Sequence, residues 1–273
     1  MSLYPASLVL VGAGKMGGAM LQGWLKGGLA GTSVTIRDPA AAPEISRLSE
    51  KHGIRLNPPV EDIVPPDVLV LAIKPQMLES AAPLLAEIAG PKTLVISILA
   101  GKTIADLAAR MPQAQAFIRA MPNTPAAVGR GITGVAASPA VTDLQKRMAD
   151  KLLHAVGRVE WLDDEALIDA VTALSGSGPA YVFYLVECMA RAGAAIGLPE
   201  DVARRMARAT VEGAGELMFQ ERDTEPGQLR VNVTSPGGTT AAALAVLMAD
   251  GGLAPLMEKA ICAAKKRAED LAG

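Results

Sequence analysis

The sequence predicts an α/β fold, a doubly wound sheet in the first half followed by an all-helical second half. Three observations carry that expectation. Short apolar runs alternate with helical patterns as far as Trp161, a glycine-rich turn follows the first run, and no strand pattern comes after Trp161.

The apolar runs at 7–11, 33–37, 68–73, 93–98 and 116–120 read as strands. Several are near-continuous Val, Leu and Ile, as expected when helices cover both faces of a sheet. Helical spacing occupies 16–27, Pro43–His52, 76–89 and Ile104–Arg110. Further strands are expected near 134–137 and Gly157–Trp161, with a helix over Asp143–His154 between them. Beyond Trp161, residues 167–197 and 199–219 read as long helices, the first interrupted near Ser175-Gly176-Ser177-Gly178-Pro179. Glu200 and Asp201 suit the dipole at the start of the second. A short helical turn at 228–231 and helices at 239–248 and 253–271 complete the chain. This divides it into a nucleotide-binding domain, 1–163, and a helical domain for dimerisation and substrate binding, 164–273, joined without a flexible linker.

The glycine turn is Gly12-Ala13-Gly14-Lys15-Met16-Gly17, between the first strand and the first helix. In a Rossmann-type unit this arrangement holds a dinucleotide pyrophosphate. The first glycine permits a sharp turn, a side chain at the second would block the phosphates, and the third lets helix and strand pack closely. Free N–H groups and the helix dipole favour the anion. Two more segments follow strands directly: Ala72-Ile73-Lys74-Pro75 and Met121-Pro122-Asn123-Thr124-Pro125. Lys74 and Asn123 are the polar groups offered to the ribose or the nicotinamide amide; alone, each reads as a solvated charge or a turn former. The second strand ends Arg37-Asp38. An aspartate there suits the 2′-hydroxyl of NAD and an arginine the 2′-phosphate of NADP. Both cofactors stay open, with a slight lean to NADP.

A third constellation lies in the helical half: Thr234-Ser235-Pro236-Gly237-Gly238-Thr239-Thr240 before an Ala/Leu helix. Two glycines and several hydroxyls make a nest of donors suited to a carboxylate; an ordinary capped helix start needs only one hydroxyl.

Composition excludes other classes. A net charge of −2 and the lack of a basic run interleaved with aromatics argue against nucleic acid. Uncharged stretches at 170–186 and 231–249 contain Gly, Pro, Ser or Asn, so neither reads as a membrane span, and the N-terminus shows no secretory signal; a cytoplasmic protein is expected. Cys188 and Cys262 sit in apolar helical patterns and read as buried thiols. The apolar faces of the helical half exceed what a single layer buries, which points to a homodimer. His52 and His154 are the two histidines, both outside the loops above, and no metal-ligand cluster is seen. Carbonyl reduction needs an acid–base group that the chain does not offer. A protonated imine does not, because hydride delivery to it yields a neutral amine.

These residues resemble the pyrroline-5-carboxylate reductase family, through Gly12 to Gly17, 72–75, 121–125, 175–181 and above all 226–250. The resemblance implies reduction of (S)-1-pyrroline-5-carboxylate to L-proline with NAD(P)H, the last step of proline biosynthesis. It implies a helical domain interlocked with a partner subunit and dimers that often assemble into rings. The substrate carboxylate is then expected on Ser235, Gly237, Gly238, Thr239 and Thr240. Thr240 would face the ring nitrogen as the catalytic hydroxyl, on a loop supplied by the partner. Asp223 lies near a position where some relatives place an acidic residue. Two rival readings are a 3-hydroxyacid dehydrogenase-like oxidoreductase and a non-catalytic dinucleotide sensor. The first uses an interdomain lysine, and this chain has none between Lys151 and Lys259.

Overall fold

The computed structural model describes residues 3–272, with the backbone alone at 272. Two compact units divide the chain. One runs up to Ser177 and includes the terminal stretch from Ala264; the other is Gly178–Ala263.

The first unit is built on eight strands: β1 (Leu8–Val11), β2 (Val34–Arg37), β3 (Arg55–Leu56), β4 (Val68–Leu71), β5 (Leu94–Ser97), β6 (Ala116–Met121), β7 (Gly131–Ala137) and β8 (Gly157–Trp161). They form one sheet in the order β3-β2-β1-β4-β5-β6-β7-β8. Neighbours run parallel except β6 and β7, which are antiparallel. The helices are α1 (Lys15–Lys26), α2 (Pro43–His52), α3 (Leu78–Ile88), α4 (Ile104–Arg110) and α5 (Asp143–His154).

Strand residues point alternately to the two faces, and both faces are apolar because both are covered. Leu8, Leu10, Val68, Val70, Leu94 and Ile96 join Met20, Leu21 and Trp24 of α1 and Leu152 of α5 in one core. Val9, Val11, Leu69, Leu71 and Val95 join Leu78 and Leu85 of α3 and Leu107 of α4 in the other. Strand β3 was not expected. It is two residues long, too short to show an alternation, and exists by pairing with Thr35 and Ile36.

The expected helix over 167–197 is three pieces: α6 (Leu167–Val171), a π-helical turn (Thr172–Gly176) and α7 (Gly178–Ala195). Two hydroxyls bond back into this segment, and one backbone bond spans the wide turn. Thr172 Oγ1 donates to the Ile168 C=O and Ser175 Oγ to the Val171 C=O, while the Ser177 N–H reaches back to the Thr172 C=O. The root of this segment is held to the sheet. Arg119 of β6, buried, pairs with Asp169 at 2.9 Å and Glu165 at 3.5 Å. Glu165 also accepts the Ile104 N–H at the start of α4.

The second unit contains α7, α8 (Glu200–Gln220), α9 (Pro226–Asn232), α10 (Thr239–Leu247) and the first part of α11 (Leu253–Ala272). Helices α7 and α8 pack side by side, with Gly193 facing the small Ala203. Their buried residues, Ala190, Ala203 and Ala207, are all alanines. The expectation of two buried thiols fails: Cys188 is half-buried and Cys262 exposed. The helical pattern at these positions is real, but it does not show which faces the chain itself covers.

Candidate functional site

The strand order reverses between β1 and β4, and such a switch point is where open α/β sheets bind ligands, at the carboxyl ends of the strands. The chain places two of the singled-out segments there. Gly12 follows β1 with a φ of +90°, a conformation that favours glycine. A Cβ on it would come within 2.7 Å of the Ala72 carbonyl oxygen, which follows β4. A Cβ on Gly17 would strike the Gly12 carbonyl oxygen at 2.2 Å. These two glycines let the first and second loops meet.

Gly14 differs. A Cβ there would meet nothing within 4 Å, so the missing side chain leaves open space above the helix start. Gly14 is the N-cap of α1, and no side chain caps that end. Open space over the uncapped, positive end of a helix is what a pyrophosphate requires. The residues present therefore fit a dinucleotide. Ala13 and Gly17 are buried, Met16 is half-buried, and Lys15 is exposed at the rim.

Ile73 and Pro75 are half-buried and Lys74 is exposed. The third segment packs against α1 through the turn Thr124–Val128. Asn123 itself is nearly buried, and its side-chain amide is largely engaged. Its Oδ1 accepts the Ile132 N–H at 3.0 Å, and Nδ2 donates to the Ser175 C=O at 3.2 Å. Asn123 thus ties the end of β6 to the π-turn, leaving one amide N–H for a ligand.

At the end of β2, Asp38 lies against the glycine loop, its Oδ2 accepting the Ala13 N–H at 2.8 Å. Asn57, which sequence reasoning missed, exchanges hydrogen bonds with the Asp38 backbone. Its one sequence signal is that asparagine tolerates positive φ, here 50°.

In the helical unit, Gly238 is the N-cap of α10, with no side-chain cap. Gly237 has a φ of +70° and turns the chain into the helix, and the Gly238 N–H bonds the Ser235 C=O at 3.0 Å. Ser235, Thr239 and Thr240 are exposed, whereas the Thr234 hydroxyl is held by the Arg230 C=O. Asp223 is exposed on the turn between α8 and α9. The described residues contain no group of His, Cys, Asp or Glu able to hold a metal, and no helix long and apolar enough to cross a membrane.

Known proteins resemble both parts of the chain. The family model described as pyrroline-5-carboxylate reductase dimerisation matches residues 165–271, and that described as NADP oxidoreductase, coenzyme F420-dependent, matches 7–101. A pyrroline-5-carboxylate reductase of Pseudomonas aeruginosa is 39% identical, over 97% of this chain and 96% of that protein. One from Synechocystis is 42% identical, over 86% and 91%. Among solved structures, a pyrroline-5-carboxylate reductase from Coxiella burnetii superposes with a TM-score of 0.87 at 34% identity, covering 98% of this chain and 99% of that one. A Plasmodium falciparum pyrroline carboxylate reductase with NADP bound gives 0.77 at 26%, covering 98% of each. The chain belongs to the pyrroline-5-carboxylate reductase family.

Proposed function

We infer that the glycine cradle and the Ser235 to Thr240 loop divide the work of one reaction, the reduction of the C=N bond of pyrroline-5-carboxylate to proline. The chain catalyses that reaction as a member of its family, and with this the hydroxyacid-dehydrogenase and sensor readings fall away. A bound NADH or NADPH supplies the hydride. The chain's own part is to bind, orient and donate. Gly12 and Ala13 shape the turn, Gly14, Lys15, Met16 and Gly17 offer the helix start to the dinucleotide phosphates, and Ala72, Ile73, Lys74, Pro75 and Asn123 lie along the carboxyl edge of the sheet. Ser235, Gly237, Gly238 and Thr239 hold the substrate carboxylate on backbone N–H groups and hydroxyls. The Thr240 hydroxyl faces the ring nitrogen. As carbon gains hydride, the C=N π pair withdraws to the protonated nitrogen, and the product is a neutral amine. No alkoxide develops, so orientation and one hydrogen bond are enough.

We further assign the substrate loop of each site to a second copy of the chain. The apolar residues that α7 to α11 leave exposed, and the match of 165–271 to a dimerisation domain, support the homodimer. The assignment of the loop to the partner rests on the family resemblance.

The observation that carries the reading is the open space at Gly14 between two glycines that have none. Gly14→Val tests it, because valine fits the chain and fills the cradle. The variant is expected to keep its thermal midpoint and lose NAD(P)H binding in a fluorescence titration; normal affinity removes the phosphate loop. Thr240→Ala is expected to keep dinucleotide affinity and lose about 10²–10³-fold in kcat. Unchanged turnover removes Thr240 from the mechanism.

A further inference from the structure

The rim of the cradle carries a second built feature. Each oxygen of the Asp38 carboxylate is fixed by a backbone N–H, Oδ2 by Ala13 at 2.8 Å and Oδ1 by Ala40 at 3.0 Å. The Asp38 backbone is fixed too. Its N–H donates to Asn57 Oδ1, and Asn57 Nδ2 donates to its C=O, each at 2.8 Å. Asn57 holds a φ of 50° to do this, and its own N–H bonds the Ile36 C=O. Two hydrogen bonds thus hold the half-buried carboxylate at the end of β2, and two more hold the backbone that carries it. The neighbouring arginine is engaged elsewhere, since Arg37 Nη1 donates to the Pro58 C=O at 2.5 Å.

In a sheet with this strand order the adenosine ribose comes to the end of β2. A carboxylate fixed there accepts from a 2′-hydroxyl. A 2′-phosphate would bring like charge against it, and the two hydrogen bonds on its oxygens oppose its turning away. We propose that Asp38 makes this enzyme select NADH over NADPH, and that Arg37 is a tether for the loop at Asn57 and Pro58 rather than a phosphate reader. The proposal rests on the assignment of Gly12 to Gly17 as the dinucleotide cradle.

The test is a fluorescence titration of the full-length protein with NADH and with NADPH, read as dissociation constants and independent of turnover. The parent is expected to bind NADH at least about tenfold more tightly. Asp38→Asn keeps an amide oxygen for the Ala13 N–H and removes the charge; it is expected to bring the ratio close to one by tightening NADPH. Asp38→Ser serves the same purpose should the asparagine variant not fold. Arg37→Ala is expected to leave the ratio unchanged. Equal or tighter binding of NADPH by the parent overturns the proposal, as does an Asp38→Asn ratio like the parent's or a selective loss of NADPH in Arg37→Ala. Binding of neither dinucleotide by the parent is a different failure, since it removes the cradle itself and this proposal with it.

Discussion

Trp24 and Phe183 mark a difference between the two units. Trp24, on α1 of the sheet unit, has no exposed surface, and its indole N–H reaches the Leu152 C=O at 2.8 Å. Phe183, on α7 of the helical unit, is 64% exposed, and its neighbours on that helix include the exposed Val182, Tyr184 and Leu185. The sheet unit hides its large apolar side chains between strands and helices on both faces. The helical unit hides only alanines on α7 and α8 and leaves Ile196, Met206, Val233, Val246 and Leu256 on its surface. So many exposed large apolar side chains, in a stretch that matches a dimerisation domain, suit an association surface. One unit thus covers its own large apolar side chains, and the other leaves them exposed within the stretch that matches a dimerisation domain.

The most severe way to break this contrast is within the sheet core. Trp24→Ala removes the largest fully buried side chain and is expected to cost about 3–5 kcal/mol. Urea melts should show that loss at every protein concentration, with the sedimentation mass unchanged. A mutant that instead dissociates would place Trp24 in the association surface and erase the distinction.

The matching substitution in the helical unit is Phe183→Asp. The single chain has little to lose, because the ring is already exposed. At an interface a buried aromatic contributes about 2 kcal/mol or more, so the assembly is expected to weaken at least about thirtyfold. Analytical ultracentrifugation reads this as a shift toward monomer, and the parent's mass distinguishes a dimer from a ring of dimers. Turnover should fall with it while NAD(P)H affinity holds, since the substrate loop is assigned to the partner. A monomer of full activity would sink that assignment.

The two units were also unequally legible in the sequence. In the sheet unit the signals were local. Strands such as Val68–Leu71 and Leu94–Ser97 lie within apolar runs, and the helices Pro43–His52, Ile104–Arg110 and Asp143–His154 match their expected bounds. What escaped notice depends on a partner far along the chain. Strand β3 exists only through β2, Asn57 matters only through Asp38, and the pairing of Arg119 with Asp169 joins residues 50 apart. In the helical unit the apolar pattern marks the helices but not which faces are covered, so it points both cysteines inward although Cys188 is half-buried and Cys262 exposed. Periodicity shows that a face is apolar; it does not show whether the same chain covers it.

The smallest expected effect sharpens the contrast from the side of local chemistry. Helix α4 begins with a capping box. Thr103 Oγ1 accepts the Asp106 N–H, and the Asp106 carboxylate accepts the Thr103 N–H at 2.9 Å. Burial pushes the Asp106 carboxyl up, but the bonds from the Thr103 N–H and hydroxyl, with Lys102 and Arg110 nearby, outweigh it and hold the group below its ordinary value. Thr103→Ala is expected to cost about 1 kcal/mol at neutral pH. A carboxyl depressed in the folded chain stabilises above its unfolded value and loses that contribution as pH falls through the folded one. The gap between Thr103→Ala and the parent should therefore narrow in urea melts carried from pH 7 into the acid range below the ordinary carboxylate pKa. A gap that stays constant across that range would mean that the hydroxyl alone caps the helix. Because both partners lie within the sheet unit, the sedimentation mass should not move at neutral pH, and a mass that did would show the sheet unit's stability to be tied to the assembly after all.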